Sequence, residues 1–348
     1  MNPVVLTIII SSLGLGTTMT FIGSHWLLVW MGLEINTLAI IPLMIHQHHP
    51  RAVEATTKYF LTQATASALL LFASITNAWM LGEWSLLEML NPTSATLATL
   101  ALALKIGIAP MHFWLPEVLQ GLNLTTGLIL ATWQKLAPFA ILLQLHPMLN
   151  PNLLLLLGVS SIVIGGWGGL NQTQLRKILA YSSIAHLGWM ITILHYAPNL
   201  TQLNLAMYII MTLTTFLLFK LFASTKINSI AASAIKAPLL SMTTLLTLLS
   251  LGGLPPLSGF MPKWLILQEL TKQNLILPAT IMAMATLLSL FFYLRLCYST
   301  ALTISPNTIN LTSSWRTKPL QLNLLLMTST SLSMMLLPLT PTIFTLFL

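Results

Sequence analysis

Lys105-Ile-Gly-Ile-Ala-Pro110-Met-His-Phe-Trp-Leu-Pro116-Glu117 interrupts one long apolar run, and Leu251-Gly-Gly-Leu-Pro255-Pro256-Leu-Ser-Gly-Phe-Met-Pro262-Lys263 interrupts another. In each, two prolines stand six residues apart, Pro110 with Pro116 and Pro256 with Pro262, and the two pairs are offset by 146 along the chain. A proline deep in a helix removes a backbone hydrogen bond, and in lipid that is tolerated only where protein or water takes up the freed carbonyl. The pattern therefore predicts two discontinuous membrane helices, broken at Pro110 and at Pro255 and Pro256.

The composition of the whole chain supports a membrane setting. Of 348 residues, 56% are hydrophobic and 6% charged, far from the roughly 25% charged of a soluble domain. The six acidic residues are all glutamate, and the lone cysteine, Cys297, rules out an internal disulfide, a cysteine-ligated zinc site and an iron-sulfur cluster held within the chain. The N-terminus has no basic residue before Arg51, so it reads as the start of a permanent span rather than a signal or presequence.

Apolar runs predict an all-α polytopic protein of about eleven transmembrane helices, near 3–23, 25–45, 59–81, 95–120, 125–145, 152–172, 175–196, 201–223, 239–270, 274–298 and 322–346. The broken spans are the fourth and ninth. An odd separation makes them run in opposite directions, as in an inverted repeat with paired discontinuous helices. One membrane domain then divides into a first repeat of five helices over 1–147, a second over 148–300, and a connecting loop with a C-terminal helix over 301–348. Alternate loops put Arg51, Lys58, Arg176, Lys177, Lys226, Lys236, Arg316 and Lys318 on one membrane face and only Lys272 on the other. By the positive-inside rule the basic face is cytoplasmic, or matrix in a mitochondrion, with the N-terminus on it and the C-terminus opposite. Lys220 and Arg295 lie near enough to that face to snorkel.

Three lysines have no such explanation. Lys105, Lys135 and Lys263 belong inside the membrane, and Glu34 joins them ten residues into a span starting near His25. A charged side chain at mid-bilayer costs about 2.5–3.5 kcal/mol on insertion scales, so such groups face a protein interior or a water path. Burial disfavours the charged form of each group and an opposite charge favours it, so a Glu34–Lys105 pair that makes and breaks would switch the proton affinity of Lys135. That is proton-relay chemistry, which needs titratable groups and water but no cofactor. The competing reading is a set of snorkelling or structurally paired lysines.

Glu117, His112 and His186 are accessory candidates, the histidines because imidazole titrates near neutral pH, although buried hydrogen-bonded histidines fit equally. His46, His48 and His49 read as a solvated loop, since no carboxylate or cysteine stands beside them to complete a metal site. The run Gly165-Gly166-Trp167-Gly168-Gly169 lacks a P-loop lysine or a dinucleotide fingerprint and reads as close helix packing. The net charge of +8 is explained by topology, not by nucleic-acid binding.

With the two proline segments, Arg176-Lys-Ile-Leu-Ala-Tyr-Ser-Ser-Ile-Ala-His186-Leu-Gly-Trp189 completes a set of motifs that resembles the antiporter-like membrane-arm subunits of mitochondrial NADH:ubiquinone oxidoreductase, respiratory complex I. The resemblance covers the whole chain. It implies a multi-pass subunit of the mitochondrial inner membrane, with the N-terminus in the matrix and the C-terminus in the intermembrane space. It also implies a proton pathway on Glu34, Lys105, Lys135 and Lys263. The implied partners are other membrane-arm subunits, another antiporter-like one among them, accessory subunits, and lipid including cardiolipin. No cofactor is expected on this chain; NADH, FMN, iron-sulfur clusters and ubiquinone are expected on other subunits. Bacterial relatives carry three further N-terminal helices, and Asn171–Gln174 lacks the acidic residue that many relatives place before the basic pair, so no role is transferred to that loop. A stand-alone cation/proton antiporter would share the fold, but sodium sites favour clustered oxygen ligands; a purely structural subunit leaves four intramembrane charges unexplained.

Overall fold

The computed structural model describes residues 2–46, 48–234, 238–302, 324–340 and 342. Lys236, Arg316, Lys318, most of the loop after 301 and the end of the eleventh expected span lie outside the described residues. The described residues form fourteen α-helices and no β-strand: α1 (Pro3–Ile22), α2 (Trp26–Ile45), α3 (Pro50–Leu81), α4 (Pro92–Ile106), α5 (Trp114–Gly121), α6 (Leu124–Leu145), α7 (Pro151–Gly169), α8 (Leu175–Ile193), α9 (Pro198–Leu221), α10 (Ile227–Ala234), α11 (Pro238–Gly252), α12 (Phe260–Lys272), α13 (Ile276–Ala301) and α14 (Leu324–Met335). Seven stretches, those of α1, α2, α3, α6, α7, α9 and α13, are long and apolar enough to cross a membrane by themselves; α4, α11 and α14 are shorter apolar helices.

The helix starts follow from local chemistry. Proline opens α1, α3 and α4, where its missing N–H costs nothing, and Asn2, His49 and Asn91 accept a hydrogen bond from the backbone N–H two residues on. His49 is thereby a helix cap, which accounts for one member of the histidine loop. Helix α3 begins nine residues before the expected 59, because its first turns are polar and solvated, with Glu54 and Lys58 paired at 2.8 Å, and hydropathy does not register them. Helix α10 was not expected; it is a two-turn helix in the loop after α9, its start closed by Ser229 Oγ accepting from the N–H groups of Thr225 and Lys226.

The two broken spans appear as α4 with α5 and α11 with α12, and their bounds repeat at the proline offset: Pro92–Ile106 maps onto Pro238–Gly252. The prolines are not what ends the first half, however. Helix α4 stops at Gly107 (φ 84°) and α11 at Gly253 (φ 81°), both left-handed, with Pro110, Pro255 and Pro256 in the connections beyond. A left-handed C′ residue folds its N–H back onto carbonyls three or four residues earlier, and glycine adopts it without steric cost. Pro116 and Pro262 each occupy the third position of the following half-helix, where no intrahelical donor is needed.

The chain divides into two compact units, Met1–Ser161 with Met190–Pro198, and Ile162–Trp189 with Asn199–Leu348. In the first, α1 crosses α2 at Gly16 and Gly32: a Cβ on Gly16 would stand 2.9 Å from the Gly32 carbonyl and 2.6 Å from Asn36 Oδ1. In the second, the glycine run at the end of α7 packs as expected, with Gly165 against the α8 backbone at Ala185. There, too, Arg295 of α13 does more than snorkel, because its guanidinium donates to the carbonyls of Leu170, at 2.6 Å, and of Gln172 in the turn after α7.

Gly16→Val should therefore force α1 from α2. At roughly 1–3 kcal/mol for overpacking a tight contact, the variant is expected to accumulate less assembled protein than the parent at the same expression, read on native gels, whereas Gly14→Val, at a position with open space around it, should not.

Candidate functional site

Beyond Ala103, the end of α4 presents carbonyls that have lost their helical donors. Ala103 O accepts from the N–H groups of Gly107 and Ile108, at 2.9 and 3.0 Å. Leu104 O accepts from the Trp114 indole at 3.1 Å, and Lys105 O from the Gln63 amide at 3.3 Å. Thus α5 and α3 supply neutral side-chain donors to the broken end of α4. One face of α3 carries the rest of the segment: the Tyr59 ring lies 5.7 Å from the Trp114 ring, Lys58 pairs with Glu117 at 2.7 Å, and Gly121 rests so closely on α3 that a Cβ would be 2.6 Å from the Arg51 carbonyl and from Ala55 Cβ. Residues 55, 59 and 63 recur every four positions, as one helix face requires.

Lys105 and Lys135 are brought together by this arrangement. Each is 5% exposed, and both line one cavity of about 20 Å³ with Asn36, Tyr59, Gln63 and Gln134. That is room for one water molecule. The Lys105 ammonium is buried with no hydrogen-bond partner. Pro138, which also lines the cavity, sits inside α6 and cannot donate to the Gln134 carbonyl four residues back, adding an acceptor beside Lys135. Glu34 is in the same unit and half-buried, near enough for its charge to act on Lys105 and Tyr59. The expected Glu34–Lys105 pair is not made: the ion pairs among the described residues are Lys58 with Glu54 and Glu117, and Lys272 with Glu269. One Glu34 carboxylate oxygen is buried without a partner. Glu117 faces Lys58 at the solvated end of α3, outside the cavity.

The second unit repeats the break with different donors. Leu249 O accepts from the N–H groups of Gly253 and Leu254, at 3.1 and 3.4 Å. The last two carbonyls of α11 receive a charged donor, because Lys263 Nζ lies 2.9 Å from Gly252 O and 3.4 Å from Leu251 O. A Cβ at Gly253 would stand 2.8 Å from that ammonium, so the lysine rests against the glycine whose backbone angle ends α11. Lys263 also lines a cavity of about 10 Å³ with His186, Trp189, Thr286, Ser289 and Tyr293. His186 is buried, its ring 5.8 Å from that of Tyr208. His112 lies buried in the first unit's break, its ring 4.4 Å from Phe113.

Sequence reasoning found the lysines and missed the neutral residues that hold them. Gln63, Tyr59, Trp114, Asn36 and Gln134 carry no charge signal. Gly107 and Gly253 were within reach, since they stand at the same 146-residue offset as the prolines. Among the described residues no group of three or more histidine, cysteine or acidic side chains is placed to hold a metal ion.

Residues 23–289 match the family described as NADH:quinone oxidoreductase/Mrp antiporter, TM, and residues 290–344 match NADH dehydrogenase subunit 2 C-terminus. NADH-ubiquinone oxidoreductase chain 2 of Squalus acanthias is 89% identical over 344 residues, covering 99% of each chain. The protein of the same name from Scyliorhinus canicula is 80% identical over 343 residues, again covering 99% of each. Among solved structures, a chain of respiratory complex I from Thermus thermophilus superposes with a TM-score of 0.82 at 27% identity, over 96% of this chain and 78% of that one.

The capping geometry ranks the supports of the first break. Gln63→Leu leaves the buried Lys105 carbonyl without its donor, a loss of about 1–3 kcal/mol. Lys58→Met removes two exposed ion pairs, each worth about 0–1 kcal/mol. Hydrogen exchange at the amides of residues 107–113 should rise far more in the first variant than in the second.

Proposed function

The chain belongs to the NADH:quinone oxidoreductase/Mrp antiporter family and, within it, to the subunit 2 family of NADH-ubiquinone oxidoreductase, and from this premise we propose that it carries protons across the mitochondrial inner membrane along Glu34, Lys105, Lys135 and Lys263. It is an all-α, antiporter-like membrane-arm subunit of an oxidoreductase complex. The observation that carries the relay is the shared cavity of Lys105 and Lys135: two buried lysines around a space the size of a water molecule, lined by neutral polar groups that can order that water without fixing the proton. A buried amine with nothing to pair with exchanges a proton more readily than one locked in an ion pair, and Lys105 is in that state.

In this reading the electron chemistry belongs to other subunits, which hold FMN, the iron-sulfur clusters, and the sites for NADH and ubiquinone. The two halves, 1–147 and 148–300, act as inverted repeats followed by the connecting loop and C-terminal helix of 301–348; the coincidence of element bounds at the 146-residue offset supports this. Neighbouring membrane-arm subunits, another antiporter-like chain among them, accessory subunits, and lipid including cardiolipin cover the exposed apolar side chains, for which Trp79, Ile22 and Leu277 are examples. His186 acts with Lys263 and His112 with the first break as accessory groups.

Lys105→Ala or Lys135→Ala in the assembled complex should lower both proton translocation and the quinone-reductase rate steeply while assembly persists, because removing a buried charge also removes its desolvation cost. Lys105→Arg should impair transfer too, as a guanidinium keeps its proton at any physiological pH. Lys226→Ala, on a solvated turn, should change little. Full assembly of Lys105→Ala with the parental pumping ratio and rate would make the buried charges structural.

Orientation is tested separately. With Arg51, Lys58, Arg176, Lys177 and Lys226 on the matrix face, a thiol label at Asn2 should react from the matrix side and one near Leu348 from the intermembrane side; both reacting from one side would sink the eleven-span topology.

A further inference from the structure

The two breaks share bounds, a left-handed glycine and a proline in the second half-helix, and among the aligned positions where they differ one is charged in both. Glu117 in the first unit corresponds to Lys263 in the second at the 146-residue offset. Where the repeat has glutamate, the side chain turns away to Lys58 and the α4 carbonyls are capped by the Trp114 indole and the Gln63 amide. Where it has lysine, the ammonium itself caps α11, at 2.9 Å from Gly252 O and 3.4 Å from Leu251 O. We propose that Lys263 is a protonation-dependent latch: its ammonium holds the break in α11 closed, so that release of its proton and opening of the Gly253–Gly259 connection are a single event.

Three observations support the latch. First, the bond is charge-assisted and lies at the negative end of a helix, so the ammonium gains about twice the strength of a neutral donor and the dipole attraction as well. A neutral amine loses both and keeps only two weaker, uncharged N–H donors. Second, the Lys263 side chain lies directly against Gly253, where a Cβ would come 2.8 Å from Nζ and 3.0 Å from Cδ, so the cap touches the residue that ends α11. Third, the connection's other ties are few. Its internal hydrogen bonds are single turns, Leu257 N–H to Leu254 O and Phe260 N–H to Leu257 O; Ser258 Oγ donates to the Ser333 carbonyl of α14, Gly259 packs on the Ser250 carbonyl, and Pro255 and Pro256 donate none. The titratable groups facing Lys263 in its cavity are His186 from α8 and Tyr293 from α13; no carboxylate lines that space to hold the ammonium by ion pairing. His186 is thereby placed as the acceptor of a proton leaving the latch.

This inference rests on the proton-relay reading for the role of the proton, while the cap itself is independent of it, and the experiment separates the two. Hydrogen exchange is followed by mass spectrometry at the amides of residues 253–260 in the intact assembled complex, together with proton translocation. Lys263→Met should raise exchange there by about ten-fold or more, the scale of losing a hydrogen bond to a charged donor. Lys263→Arg, which can still cap but cannot release a proton, should keep exchange near the parental level while translocation falls. Lys263→Gln, with a neutral amide in place of the ammonium, should raise exchange and lower translocation together; it carries the test if Lys263→Met fails to assemble. Parental exchange in Lys263→Met, or parental exchange and translocation in Lys263→Gln, would overturn the latch. Parental translocation in Lys263→Arg, with exchange still low, would leave a static cap and remove Lys263 from the relay.

Discussion

A helix interrupted among apolar side chains leaves carbonyls that neither water nor lipid will satisfy, and every distinctive feature of this chain follows from how they are capped. An unpaired buried polar group costs about 1–3 kcal/mol, so a break with three or four free carbonyls is untenable unless donors are brought to it. The donors come from outside the broken helix, which fixes what must pack beside it. Helix α3 runs past the first break because Gln63 has to reach Lys105 O, and α5 returns because the Trp114 indole has to reach Leu104 O. Lys105 and Lys263 then sit at the broken ends of helices, where the backbone offers acceptors that a regular helix would have consumed.

The cavity beside Lys105 and Lys135 has the polarity of neutral groups rather than of ions. Asn36, Gln63, Gln134 and Tyr59 surround it, and the carboxylates of its unit lie elsewhere, Glu34 near but not bonded and Glu54 and Glu117 drawn to Lys58. A carboxylate at 3 Å would have made each lysine a permanent cation and a poor proton carrier. Amides and a phenol solvate either protonation state, which keeps two states accessible in one geometry. The small volume matters as well, since it leaves room for about one water between the residues that line it.

The architecture was legible where it depended on periodicity and charge. Apolar runs located the spans, and the proline offset located both breaks. It was illegible where it depended on direction across helices. The Glu34–Lys105 pair was a reasonable expectation from depth alone, but depth does not say which way a side chain points, and neither group sits in an ion pair. The prolines drew attention from Gly107 and Gly253, which end the helices, because a proline forbids a helix outright whereas a glycine only permits a left-handed turn. Gln63 and Trp114 carry no marker of their importance at all, since a neutral donor is defined by the carbonyl it meets and not by its own sequence neighbourhood.

The different caps of the two breaks have an electrical consequence. An amide and an indole carry no net charge, so a transmembrane voltage exerts almost no force on the closing of the first break. The second is closed by an ammonium, and a full elementary charge crossing the membrane exchanges about 2.3 kcal/mol with the field per 100 mV. Any displacement of Lys263 along the field taps a fraction of that energy. Under the proposed latch, the membrane potential acts directly on the cap of the second break and hardly at all on the neutral caps of the first.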